Sequence, residues 1–126
     1  PVKFNRWALR PDSGGDGKHR GGLGATYEIE LLEESADAFL FGERGKFAPV
    51  GVVGGGPGAK NVFTYEGENG PAHPKMISKI VGVKLKRGQS VRIDTPGGGG
   101  YGNPNERSSI ARAADVALGY VTESKS

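Results

Sequence analysis

The chain has 126 residues, 23 of them glycine, with a formal charge of +3 and no cysteine. That length admits one domain with a modest core, and the absent cysteines exclude disulfides, thiolate zinc ligands and cysteine nucleophiles. The basic residues are spread among carboxylates, which argues against the basic stripe of a nucleic-acid surface. No run reaches the roughly 18 apolar residues needed to cross a bilayer. No nucleic-acid or membrane partner is therefore expected, and the cytoplasm is the default location. Disorder is rejected as well, because Trp7, Phe39, Phe41, Phe47, Phe63 and Tyr65 supply a core and the glycines cluster without a Gly-X-Y period. The chain opens at Pro1 without Met and so reads as a piece of something longer.

In chain order, Pro1 to Arg10 reads as a short apolar lead into a first glycine loop, Pro11 to Gly24. Ala25 to Leu32 sets Tyr27, Ile29 and Leu31 against Glu28 and Glu30, the period of a half-buried strand with its glutamates in solvent. Ala36 to Gly42 is a second strand, antiparallel to the first if the Glu33-Glu34-Ser35 turn is tight. Lys46 to Val53 is broken by Pro49 and Gly51, and Gly51 to Ala59 forms a second glycine cluster. Asn61 to Glu66 is a further strand, and Gly67 to Lys75, with two prolines, is a loop. Ser78 to Lys86 and Ser90 to Asp94 alternate on either side of Arg87-Gly88, a hairpin signal.

A third glycine run, Gly97 to Gly102, precedes a change of period. Ile110, Ala111, Ala113, Ala114, Val116, Ala117 and Leu118 recur at helical spacing, with Ser108 as N-cap and Gly119 just past the end. Thr122 is a candidate second N-cap. The expected architecture is mainly β with long glycine-rich loops and one C-terminal α-helix. Residues 1–106 form the glycine-rich β domain, and residues 107–126 form the helix and a truncated tail.

Several ordered motifs resemble the C-terminal part of the hydantoinase B/oxoprolinase family. They are Leu9 to Gly15 (Leu-Arg-Pro-Asp-Ser-Gly-Gly) with Arg20-Gly21-Gly22-Leu23-Gly24, then Arg44 to Gly51, and Gly54 to Ala59. Thr95 to Pro104 with Glu106-Arg107, then Asp115 and Gly119 to Thr122, complete the set. Where that family usually has Ser-Asp-Arg, this chain has Gly42-Glu43-Arg44.

The resemblance implies a B-type subunit of ATP-dependent enzymes that open cyclic amides, or of related acetone and acetophenone carboxylases. It implies an A-type subunit that binds ATP and phosphorylates the substrate oxygen or a bicarbonate. An unactivated lactam resists hydrolysis, so phosphorylating its carbonyl oxygen supplies a leaving group. The family's metal-ligand histidines and aspartates belong to an N-terminal part outside this sequence. ATP and a divalent metal are thus expected in the assembled enzyme and neither on this chain alone. The implied partners are a larger B-type piece, the A-type subunit and a small-molecule substrate.

No complete catalytic set is read from these residues. His19 and His73 are the only imidazoles and lack ligands at metal spacing, and Asp16 near His19 is a weak acid/base pair. Arg10, Asp12, Ser13, Arg20, Arg44 and Tyr101 are the candidate substrate- or interface-contacting residues. The loop around Asp12 and Ser13 could receive an anion on its backbone N–H groups, or could be a structural loop capped by those two side chains. Gly97 to Gly102 could cradle a phosphate, but Pro104 precludes the helix that a dinucleotide fold needs. Close backbone packing, with Tyr101 as an anchor, is the other reading of that run. A non-catalytic assembly or binding module is the alternative function, and a nucleic-acid-binding barrel a weaker third.

Overall fold

The computed structural model describes residues 1–123. Residues 124–126, the end of the expected tail, lie outside the described residues. The strands are β1 (Val2–Leu9), β2 (Ala25–Leu31), β3 (Ser35–Phe41), β4 (Val62–Gly67), β5 (Gly70–Ala72), β6 (Lys79–Lys86) and β7 (Ser90–Asp94). A single-turn 3₁₀ helix at Pro104–Glu106 leads to the one α-helix, α1 (Ser109–Ala117). The fold is mainly β with a C-terminal helix, as expected.

An antiparallel sheet of order β1-β2-β7-β4-β5 is faced by a two-stranded ribbon, β3-β6. On the sheet, Phe4 and Trp7 of β1, Tyr27 and Ile29 of β2, Val91 and Ile93 of β7, and Phe63 and Tyr65 of β4 fall in register on one face. The ribbon drops Val83 and Leu85 onto Leu31 and Val91, with Ile29, Ala38, Tyr65 and Ile80 packed around them. This is sheet-on-sheet packing, with inward residues at every second position of each strand. The core is small: among the described residues, six apolar side chains are buried, namely Leu31, Leu40, Phe63, Val83, Leu85 and Val91.

Several expectations need correction. The first is β1, an eight-residue edge strand where only a lead-in was expected. A bulge between Phe4 and Arg6 shifts the alternation from Val2/Phe4 to Trp7/Leu9, which hides the period in the sequence. Second, β3 pairs with β6 and not with β2, because β1 and β7 already occupy both edges of β2.

Third, the Arg87-Gly88 turn joins strands of different sheets and closes no hairpin. Gly88 N donates to Leu31 O at 2.8 Å and Leu31 N to Gln89 O at 2.9 Å, which pins the turn to the end of β2. The chain therefore enters the large sheet as it leaves the ribbon. Fourth, the proline loop contains β5, with Pro71 opposite Glu66 on the outer edge, where a strand tolerates a missing N–H.

Two glutamates expected in solvent, Glu28 and Glu30, are half-buried, and Glu30 accepts a bond from Asn5 Nδ2 at 2.7 Å. In α1 the N-cap holds as expected, with Ala111 N donating to Ser108 Oγ at 3.2 Å. Gly119 sits just past the helix end at φ 70°, a conformation that glycine adopts without strain. The helix nevertheless buries its polar side. Asp115 is its buried residue, whereas Ile110 and Leu118 are 81 % and 63 % exposed.

Candidate functional site

The three glycine segments, residues 13–24, 49–59 and 95–102, lie against one another and bond backbone to backbone. Gly15 N donates to Gly98 O and Gly98 N to Gly22 O, each at 2.8 Å. Ala59 N donates to Ser13 O at 2.8 Å, and Gly97 N to Ala59 O at 3.2 Å. Gly56 N donates to Asp16 O at 2.7 Å, and Gly100 N to Gly56 O at 2.9 Å. Each segment is thus bonded to the other two. Tyr101 bridges His19 on one side and Val52 on the other, and its ring centroid lies 6.1 Å from that of His19.

The glycines serve chiefly to remove side chains. A Cβ at Gly97 would collide with Ser13 O, one at Gly21 with Gly98 O, one at Gly99 with Val50 O and one at Gly100 with Asp16 O. None of these four is in the left-handed region; within the segments only Gly54 and Gly102 are glycines that are. Atoms from adjoining backbones occupy the space a methyl group would need, so the three segments can approach only if these positions lack Cβ.

This geometry decides between the readings of the loops. The N–H groups of Gly15, Lys18, His19, Gly21, Gly97, Gly98 and Gly100 already donate to protein carbonyls. An anion or phosphate cradled by these N–H groups would have to displace those bonds, which favours the structural reading of both runs. The side chains at the root of the bundle are committed in the same way. Ser13, 1 % exposed, donates to Arg10 O at 2.5 Å and accepts from Gly24 N at 2.9 Å. Arg10 Nη1 donates to Lys60 O at 2.8 Å and Thr95 O at 3.0 Å, tying the exit of one segment to the entry of another. Asp12 Oδ1 and Oδ2 accept from Thr122 N at 2.9 Å and Thr122 Oγ1 at 2.8 Å, bringing the segment after α1 back to the first loop.

Two carboxylates that sequence reasoning did not single out as site residues hold the bundle to its surroundings. Asp94 lies at the end of β7, where the third segment begins. It accepts from Thr26 Oγ1 at 2.5 Å and from Arg92 Nε and Nη2 at 2.9 and 3.0 Å. Burial pushes its carboxyl up, but the Arg92 and Thr26 bonds and the charges of Arg92 and Arg10 together hold it below the usual carboxylate range.

Asp115, 7 % exposed, accepts on Oδ2 from Arg107 Nη2 at 2.6 Å and Nε at 3.1 Å. Arg20 Nε lies 3.2 Å from Asp115 Oδ1 but without hydrogen-bond alignment, so that contact is purely ionic. Arg20 also donates to Gly21 O at 2.6 Å and lies 5.4 Å from the Tyr120 ring centroid. Arg107 Nη1 reaches Lys18 O at 3.1 Å. Arg20, Arg107, Arg112, Asp16 and Asp115 line a cavity of about 160 Å³.

Of the six sequence candidates, the fold gathers Arg10, Asp12, Ser13, Arg20 and Tyr101 around the bundle. Arg44 stands apart on an exposed loop at φ 62°, where its carbonyl accepts from Asn61 N at 3.1 Å. His73 is exposed, as expected, and its Nδ1 donates to Phe63 O at 2.8 Å. Among the described residues no three His, Asp or Glu side chains gather as a metal would require, so these residues do not fit a metal. The signal for Asp115 was available in the sequence: a lone carboxylate among alanines and valines, eight residues after Arg107.

Comparison with known proteins follows the same lines. A sequence profile of the hydantoinase B/oxoprolinase family matches residues 1–104. The chain is 35 % identical to the caprolactamase beta subunit of Pseudomonas jessenii over 97 % of its own length and 21 % of that subunit. It is 35 % identical to 5-oxoprolinase of Dictyostelium discoideum, over 81 % of this chain and 8 % of that protein. The crystal structure of the ATP-dependent caprolactamase from Pseudomonas jessenii superposes with a TM-score of 0.81 at 28 % identity. That match covers 99 % of this chain and 22 % of the other. The chain spans between 8 % and 21 % of the length of the curated relatives it matches.

Proposed function

The chain belongs to the hydantoinase B/oxoprolinase family, and from that premise we propose that it is the C-terminal segment, or a small subunit, of an ATP-dependent cyclic-amide hydrolase or related carboxylase of the cytoplasm. Its work there is to complete the B-type subunit, frame part of the substrate cavity and carry contact to an ATP-binding A-type subunit. ATP and a divalent metal belong to the rest of that assembly, whose A-type subunit activates the substrate oxygen. In this reading residues 1–106 are the glycine-rich β module and residues 107–126 the C-terminal helix and tail. Tyr101 and the exposed Arg44 are the candidate residues best placed to meet substrate or partner. The guanidinium groups of Arg10 and Arg20 already serve the bundle.

What carries this reading is an imbalance of apolar surface. Six apolar side chains form the buried core, while Trp7, Phe39, Phe41, Phe47 and Val81, among others, stand mostly in solvent. Trp7 alone is 70 % exposed. Large aromatic side chains this exposed, in excess of those buried, fit a surface that another polypeptide covers. A free-standing binding module accounts poorly for apolar side chains on β1, on the β3-β6 ribbon and on the 47–53 loop at once.

Reconstitution tests the proposal. The A-type and long B-type polypeptides of the source would be assayed for ATP hydrolysis coupled to opening of a cyclic amide, with and without this chain. Coupled turnover that needs the chain supports the reading; full turnover without it refutes the reading.

A further inference from the structure

We infer that the outward face of α1 is a seat for a helix belonging to the remainder of the B-type polypeptide. The inference rests on the family reading above and adds the place where that polypeptide docks.

The argument begins with the orientation of α1. At about 100° per residue, Ala113, Ala117 and Ile110 lie within about 40° of the point opposite Asp115. All three are exposed, as is Ala114 on the flank of that stripe. A helix on a protein surface ordinarily turns such a stripe inward. This one cannot roll to do so, because Arg107 and Arg20 hold Asp115 against the bundle. Turning the stripe inward would pull a buried carboxylate from two guanidinium groups, a far larger cost than burying alanines could offset. The ion pairs therefore fix an apolar face outward.

The chemistry of the face selects its occupant. Ala113, Ala114 and Ala117 have side chains short enough for a second helix to approach at the close end of the usual 8–10 Å spacing. Ile110 stands at the N-terminal end of that strip as an apolar knob. Within α1 the one charged side chain besides Asp115 is Arg112, and its guanidinium already donates to Pro104 O at 2.5 Å and Arg107 O at 3.3 Å. An apolar surface almost without charge belongs to a permanent contact rather than to a transient one. Nine residues span only about 14 Å, too little for the roughly 1,200 Å² a specific association needs. The face is therefore one part of a broad interface and not a self-sufficient dimer seam. In the caprolactamase relative the equivalent module is 22 % of one chain. The polypeptide available to cover it is the much longer remainder of that subunit type.

The test uses the assembled complex. A photo-crosslinking amino acid at position 114 is expected to crosslink to long B-type sequence, in a separate chain or within one continuous polypeptide, identified by mass spectrometry of the crosslinked peptides. Crosslinks to the A-type subunit, to a second copy of this chain, or to nothing in the assembled complex would overturn the inference. Ala113→Glu and Ala117→Glu, both exposed here, are expected to keep the circular dichroism and melting of the isolated chain. Each is expected to cut recovery of the B-type polypeptide about tenfold or more. Unchanged recovery with both variants overturns the docking inference and leaves the family reading intact. If the unmodified chain recovers no B-type polypeptide, the proposed subunit role fails and the inference fails with it.

Discussion

Replacing Gly97 with alanine separates steric need from conformational need in the bundle. Gly97 is buried and outside the left-handed region, so alanine can adopt its backbone angles without strain. The added methyl would overlap Ser13 O, which accepts from Ala59 N at 2.8 Å. Relieving that overlap moves Ser13 O by about 1 Å, beyond hydrogen-bond range of Ala59 N. The neighbouring bonds from Gly97 N to Ala59 O and from Gly15 N to Gly98 O are strained by the same shift.

Overpacking costs about 1–3 kcal/mol, and a buried N–H left unpaired costs about 1–3 kcal/mol more. Alanine recovers only about 0.5–1 kcal/mol by restricting the unfolded chain. The net loss is about 3 kcal/mol, or a melting temperature about 9–15 °C lower for a domain of this size. Gly22 is the control: it lies in the same loop, is exposed, and a Cβ there meets nothing within 4 Å. Gly22→Ala should be neutral or slightly stabilising. Thermal unfolding of both variants decides the matter. A Gly97→Ala melt within about 3 °C of the parent, or equal losses for both variants, would refute the steric account.

Further predictions concern the side chains around the bundle. Asp115→Ala leaves Arg107 and Arg20 beside an empty site and should destabilise the chain by about 3 kcal/mol; faster hydrogen exchange within α1 is the accompanying local sign. Ser13→Ala leaves Gly24 N without its buried acceptor and should cost about 1–3 kcal/mol in chemical denaturation. The Asp94 carboxyl is held below its ordinary range, so the stability it contributes is present above the ordinary value of about 3.9 and is lost as pH falls through the depressed value. The parent should lose stability below about pH 4, and Asp94→Asn should flatten that part of the profile while lowering stability at neutral pH.

What the sequence disclosed and what it hid follow from the range of the interactions involved. β2, β4, β6 and β7 were legible because Tyr27/Ile29/Leu31 and Val81/Val83/Leu85 alternate locally, and α1 was legible because Ser108 and Gly119 mark its ends. Partnership was not. Whether β3 joins β2 or β6 depends on which edges of β2 are free, a property of the whole sheet. The bulge in β1 erased its period, and Gly70-Pro71 masked β5. Clustered glycines did signal close backbone approach, yet which carbonyl each one meets is a tertiary fact. The helix misled in an instructive way: its apolar spacing was correct, but the buried Asp115, fixed by arginines 8 and 95 residues upstream, decides which side faces inward.

Native mass spectrometry of the complex purified from its source tests the central claim most directly. The account predicts that this chain, alone or as part of a longer polypeptide, is found with long B-type sequence and an A-type ATP-binding subunit. A homogeneous, partner-free species of 13.2 kDa would contradict it.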